Sequence, residues 1–259
     1  MTVERKSWWA TAYDRIREIG YYYHFIDFPS AQAEIPFMEE VLPIQSGASV
    51  LDLGCGNGRH AILLAQKEYR VTAVDFSTQA LEMAANEAGR QGLDITFRRQ
   101  DMRDMNEREA YDAVIMMDGS FGLFSDFENE DVLKRASRSL KSGGGILLNI
   151  FNPYYAAVHP ELRHEMENEK EFIHRRSFEP YNGRVCDEIR CVDTTTGREQ
   201  AVPPIFYRAY TLPELARMGS AHGLGNLKAY GHDRKYRPSA DKPFEAEKCL
   251  LMYVVMRKI

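Results

Sequence analysis

Five short apolar runs between residues 49 and 151, parted by stretches of helical periodicity, constrain this chain more than any other feature. Ser49–Leu53 (SVLDL) reads as a strand, and a glycine-rich turn leads from it into an apolar-periodic helix from about Arg59 to Lys67. Arg70–Val74 is the next strand; Ser77 then caps a helix that runs to about Arg90 and stops near Gly92. Ile95–Arg99, Tyr111–Met117 and Gly145–Phe151 supply three more strands, with a helix from about Asp126 to Leu140 before the last. Strands separated by helices of this length are joined by crossovers rather than hairpins. The expectation is an α/β, doubly wound parallel sheet with helices on both faces.

The pattern changes after Asn152. Over residues 161–199, 17 of 39 are Asp, Glu, Lys or Arg. Glu171–Ser177 and Arg184–Val192 alternate by two around the turn signal Tyr181-Asn182-Gly183, and Glu199–Tyr210 follows another turn. This predicts an antiparallel insert of two or three strands. Thr211 caps a helix ending at Gly223 or Gly225, and Asn226–Gly231 and Cys249–Met256 read as two final strands separated by a basic loop, His232–Lys242. The first 47 residues look helical, with Pro36 opening a helix that leads to Pro43. The expected organisation is a helical cap (1–47), a ligand-binding core (48–152), an insert (153–210) and a segment completing the core sheet (211–259). A chain of 259 residues suits one such elaborated domain.

Composition narrows the partners. A net charge of −5 argues against a general nucleic-acid binder. Cys55, Cys186, Cys191 and Cys249 form no C-x-x-C pair, so neither a zinc site nor a disulfide framework is indicated. The first residues carry charges on both sides of their apolar cluster, unlike a signal peptide, and no apolar run approaches the roughly 20 residues of a bilayer span. A reduced, cytoplasmic protein with no membrane partner is the expectation.

Chemistry concentrates at three consecutive strand ends. Asp52-Leu53-Gly54-Cys55-Gly56-Asn57-Gly58 follows the first strand and opens a helix, so backbone can approach a ligand and helix-start N–H groups face it. Asp75 ends the second strand, 17 residues after Gly58, where an acid accepts hydrogen bonds from both hydroxyls of a ribose. Asp101-Met102 lies just beyond the third strand, where a carboxylate and an apolar side chain bracket an adenine.

On these residues the chain resembles the class I S-adenosylmethionine (SAM)-dependent methyltransferases. The resemblance is carried by VLDLGCGNG (50–58), VTAVDFS (71–77), QDMRD (100–104), YDAVIMM (111–117) and LKSGGGILLNIF (140–151), in that order. A dinucleotide site is disfavoured because positions 59 and 61 are Arg and Ala, which breaks G-x-G-x-x-G. The resemblance implies a Rossmann-like seven-stranded sheet with its last strand antiparallel, and SAM as cofactor. It implies that Gly54, Gly56 and Gly58 lie against the methionine part, that Asp75 holds the ribose, and that Asp101 and Met102 hold the adenine. Asp52, Phe76, Tyr13 and Asp118 complete the expected cofactor set.

A looser likeness, to glycine N-methyltransferase and the amino-sugar N,N-dimethyltransferases, rests on Asp118-Gly119-Ser120-Phe121, on Asn149–Tyr154 and on Arg208–Leu215. It implies a small-molecule acceptor with a nitrogen or oxygen nucleophile, held under the insert. Asp118, Ser120, Asn152 and Tyr154 are the catalytic candidates. Trp8, Trp9, Tyr13, Tyr21–Tyr23, His24 and Phe25 could close over the sulfonium. His159 and His174 read as surface residues, and Arg175, Arg176 and Arg208 as solvated salt-bridge partners. No metal is expected, because the fifth strand offers Asn149 and Asn152 but no second acid near Asp118. Two rivals remain open: an RNA or protein methyltransferase, using the 233–242 loop, and a cyclase that consumes SAM and leaves methylthioadenosine. A homodimer is a further open possibility.

Overall fold

The computed structural model describes residues 8–19, 28–167, 169–232 and 237–259. Its main sheet is built from β1 (Ser49–Leu53), β2 (Arg70–Asp75), β3 (Ile95–Arg99), β4 (Tyr111–Met116), β5 (Leu140–Phe151), β11 (Leu224–His232), β12 (Pro238–Pro243) and β13 (Leu251–Lys258). The spatial order is β12-β11-β13-β5-β4-β1-β2-β3. β3, β2, β1, β4 and β5 are mutually parallel. β13 runs antiparallel between β5 and β11.

Alternation along these strands sorts the core into two layers. Leu51, Leu53, Val114, Met116, Met252 and Val254 face one way, onto α1 (Trp8–Glu18), α5 (Asp126–Ser139) and α7 (Leu212–Ala221). Val50, Ala113, Ile115, Tyr253 and Val255 face the other way, onto α2 (Phe28–Val41), α3 (Arg59–Gln66) and α4 (Thr78–Arg90). Burial on both faces is why the central strands read as continuous apolar runs. The helix starts follow local chemistry. Ser77 Oγ accepts from Ala80 N, and Ser125 with Glu128 and Thr211 with Glu214 form reciprocal capping boxes.

The residues after β5 form the short helix α6 (Pro153–Ala156) and then a second, wholly antiparallel sheet. It comprises β6 (Glu161–Glu167), β7 (Lys170–Glu179), β8 (Arg184–Asp193), β9 (Glu199–Ala201) and β10 (Ile205–Arg208), five strands where two or three were expected. Its buried residues, among them Phe172, Val185, Ile189 and Tyr207, join the same core layer as α1.

Three expectations need correction. Pro36 lies inside α2 rather than opening it. Its missing N–H is offset by burial of Ala31, Ile35, Phe37 and Met38 against the sheet. The end of the supposed loop 232–242 is strand β12, so the main sheet has eight strands rather than seven. Prolines at both its ends are tolerated because β12 is an edge strand, paired only through β11. β5 begins at Leu140, directly at the end of α5, and not at Gly145.

Candidate cofactor cleft

The carboxyl ends of β1, β2 and β4 and the turn beyond β3 surround an open cleft. Gly54, Gly56 and Gly58 all adopt positive φ. At Gly54 the requirement is steric as well, since a Cβ there would stand 2.7 Å from Ser120 Cβ and 3.3 Å from Met102 Cε. At Gly58 a Cβ would meet Ala84 Cβ at 2.7 Å, so this glycine lets α3 lie against α4.

Asp75 holds the glycine turn in place. Its Oδ2 accepts from Gly56 N and its Oδ1 from Ser77 N, each at 2.9 Å. Beside it Asp52 is buried, its Oδ2 has no partner, and burial pushes its carboxyl up to about 6, with His60 and Arg59 acting against Asp118 and Asp75. Ser120 Oγ is a second buried atom without a partner on the cleft wall.

Asp118 follows β4 in a left-handed turn (φ 53°) that Asn149 secures, its Oδ1 accepting from Asp118 N at 3.2 Å and its carbonyl from Gly119 N at 3.0 Å. Burial would raise the Asp118 carboxyl, but its ion pair with Arg59 and the nearby His60 hold it below the usual carboxylate range. The aromatic wall comes from α1 and neighbouring loops: Trp9 meets Phe76 edge-on at 4.3 Å and Phe124 at 5.6 Å. Tyr13 lines the cleft, its hydroxyl 3.2 Å from that of Tyr207, and burial pushes its phenol up to about 12. The Tyr207 ring covers the turn, 3.2 Å from where a Gly119 Cβ would stand.

Asp52, Gly54, Gly56, Asp75, Phe76, Asp101, Met102, Asp118, Ser120 and Tyr13 thus converge on one cleft, whereas Gly58 does not line it and packs instead against Ala84. Asp101 is less available than its position suggests. It caps a 3-10 turn (Met102–Asp104), and both its oxygens accept from Arg103, which also reaches Glu128 at 2.8 Å. Asn152 and Tyr154 do not line the cleft. Asn152 is fully buried with its amide committed to backbone: Oδ1 accepts from Tyr154 N and Tyr155 N, and Nδ2 donates to Ala246 O and Cys249 O. Tyr154 sits on α6 with 41% of its surface exposed.

His174 is buried, not superficial, with Nε2 3.4 Å from Asp187 Oδ2, and Arg176 is buried in a two-pronged pair with Asp187. His159 is exposed and stacks on Tyr155. Tyr21–Tyr23, His24, Phe25 and residues 233–236 lie outside the described residues, as does the Trp8 side chain. Among the described residues, no group of three or more His, Cys, Asp or Glu side chains is placed to hold a metal ion. No helix there is long and apolar enough to cross a membrane.

Residues 50–144 match the family model described as a methyltransferase domain. The core of this chain is a methyltransferase domain. A relative, the cypemycin N-terminal methyltransferase of a Streptomyces species, is 37% identical over 108 residues, covering 41% of this chain and 43% of the relative. The chain spans about half the length of the curated relatives it matches. Among solved structures, the CcbJ methyltransferase of Streptomyces caelestis superposes with a TM-score of 0.78 at 20% identity, over 96% of this chain and 98% of that one. A SAM-bound amino pentose methyltransferase of Micromonospora echinaspora superposes with a TM-score of 0.64 at 17% identity, over 98% and 93%. These likenesses span the insert as well as the core.

The cleft of this methyltransferase domain fits SAM on its own chemistry. The buried Asp52 and Ser120 oxygens lack partners, the Asp75 carboxylate lines the same cleft, and the Trp9 and Phe76 rings wall it with aromatic faces of the kind a sulfonium favours. Arg59, His60, Arg103, Phe124 and Tyr207 were not singled out as site residues from the sequence. Arg59 and His60 directly follow the glycine turn, which is a usable signal. Tyr207 and Phe124 are placed only by the tertiary fold.

Proposed function

We propose that this chain transfers a methyl group from SAM to an amine nitrogen of a small molecule. The observation that carries the reading is the arrangement around the Asp118–Ser120 turn. The cofactor cleft opens on one side of the turn, and Tyr207, from the insert sheet, roofs Gly119. An acceptor under that roof meets the methyl group with water excluded. The amino pentose methyltransferase among the structural neighbours and the N-terminal methyltransferase among the relatives support nitrogen as the nucleophile.

In this reading Asp75 receives the ribose hydroxyls and Met102 with Phe76 flanks the base. Asp52 and Asp118 face the cationic end of the cofactor. When bound, SAM would supply an activated methyl group to the lone pair of a neutral amine, leaving S-adenosylhomocysteine, and the methylated ammonium would lose its proton to solvent once the product leaves the cleft. Positioning is the chain's main contribution, a term worth about 7–11 kcal/mol when the geometry is good. Tyr13 is no base near neutral pH, with its phenol at about 12; with Tyr207 it orients the acceptor.

The deciding assay follows turnover by mass spectrometry with SAM carrying a labelled methyl group, supplied with amine metabolites. S-adenosylhomocysteine together with a labelled amine is expected. Methylthioadenosine from SAM alone, or label only in macromolecules, would instead establish one of the two rivals. Tyr207→Phe, which keeps the ring and removes the hydroxyl that meets Tyr13, is expected to leave SAM affinity within about two-fold and to cut turnover about ten-fold.

Asp52 adds a pH dependence. Its carboxyl titrates near 6 in the folded protein, against an ordinary value of 3.8. Between these values the folded chain holds a proton that the unfolded chain has lost, so this group's contribution to stability declines as pH rises to about 6 and is level above. A cation bound beside it prefers the carboxylate. SAM affinity should therefore rise by about ten-fold from pH 5 to 7.5, and Asp52→Asn should flatten that rise in calorimetric titrations.

A further inference from the structure

One buried polar chain near the cleft has no part in the mechanism above. His60, the second residue of α3, lines the cleft and is otherwise buried. Its Nε2 lies 2.6 Å from Glu34 Oε2, and Glu34 Oε1 accepts from the Tyr253 hydroxyl at 2.7 Å. Glu34 comes from α2 and Tyr253 from β13, and both are at most 4% exposed. Burying a carboxylate, an imidazole and a phenol together is costly unless every group is satisfied. Of the three, His60 is the one that lines the cofactor cleft.

Position along the cleft says what the chain is for. Asp75, Asp101 and Met102 stand at the β2 and β3 ends, where a nucleoside lies. His60 stands at the opposite end, beside Arg59, Asp52 and Asp118, at the ends of β1 and β4. A ligand with its nucleoside over β2 and β3 puts its remaining portion there. That portion of SAM is an α-amino acid with one positive and one negative group. The pocket offers both signs: the buried, partnerless Asp52 Oδ2 for the ammonium, and the first turn of α3 with His60 for the carboxylate.

We infer that His60 reads the amino-acid portion of the cofactor, with its ring fixed by Glu34 and Glu34 fixed by Tyr253. The inference rests on SAM being the ligand of the cleft and goes beyond it by assigning three residues to one end of that ligand. Glu34 and Tyr253 act as positioning residues, so the relay ties the placement of α2 to cofactor selection.

Calorimetric titration of the full chain with three ligands tests this. SAM and S-adenosylhomocysteine both carry the amino acid; methylthioadenosine shares the nucleoside and sulfur but lacks it. In His60→Gln and Glu34→Gln, affinity for the first two ligands is expected to fall about ten-fold and that for methylthioadenosine to stay within about two-fold. Tyr253→Phe, which keeps the ring, is expected to show the same split at about three-fold. Retained methylthioadenosine binding doubles as proof that each variant is folded. An equal loss on all three ligands, or no loss on SAM, overturns the assignment. A wild-type chain that binds none of the three would overturn the cofactor reading itself, an outcome distinct from a wild-type chain that binds all three and variants that fail to discriminate.

Discussion

Asp75→Ala is expected to lower SAM affinity by at least about a hundred-fold in calorimetric titration. The size follows from two roles met in one carboxylate. Toward the protein, Asp75 accepts from Gly56 N and Ser77 N. Removing it leaves two N–H groups beside a nearly buried site without partners, at about 1–3 kcal/mol each. It also frees the glycine turn to relax from the positive-φ path that opens the cleft. Toward the ligand, the same carboxylate is the proposed acceptor for the ribose hydroxyls. Asp75→Asn separates the roles: the amide oxygen still serves one backbone donor, while the NH2 group meets the other donor and one hydroxyl. An intermediate loss, about ten-fold, is expected there. Unchanged affinity in both variants would remove the ribose assignment.

The residues legible from sequence are those whose role is set within a few positions of their own. The glycine turn, Asp75 at a strand end and the Ser77 cap each follow from local backbone chemistry, and the structure places all of them as expected. Asn152 shows the limit of that reasoning. It lies at the end of β5, where open sheets present ligand-facing groups, but its amide is spent on the first turn of α6 and on carbonyls of residues 246 and 249. Nothing within ten residues of Asn152 announces the two carbonyls. The same distance hides Arg59–Asp118, His60–Glu34 and Tyr13–Tyr207, which join residues 59, 26 and 194 positions apart. The burial of His174 and Arg176 is hidden from the sequence for a related reason. A strand with many charges reads as solvated, yet alternation turns alternate residues of β7 inward, and His174 and Arg176 there are buried against Asp187 and Phe151.

Gly54→Ala is the substitution from which the largest combined effect is expected. A Cβ at this position, with φ at 79°, costs about 1–2 kcal/mol in backbone strain alone. It would also stand 2.7 Å from Ser120 Cβ. That atom is fixed to the backbone of the Asp118–Ser120 turn and cannot swing aside as the Met102 methyl can. The two loops must part, and the turn they displace carries Asp118 and underlies Tyr207. SAM binding should fall below detection, and the thermal midpoint should drop by about 5–10 °C for a chain of this size. Gly143→Ala supplies the control. Gly143 has a similar φ of 75° but nothing within 4 Å of its added Cβ, so it carries the strain without the collision. It should lose only a few degrees and bind SAM normally. Adding Ser120→Gly to Gly54→Ala removes the opposing Cβ and should recover measurable SAM binding despite the lost hydroxyl. A double variant that binds no better than Gly54→Ala would mean that strain in the glycine turn, and not contact between the two loops, shapes the cleft.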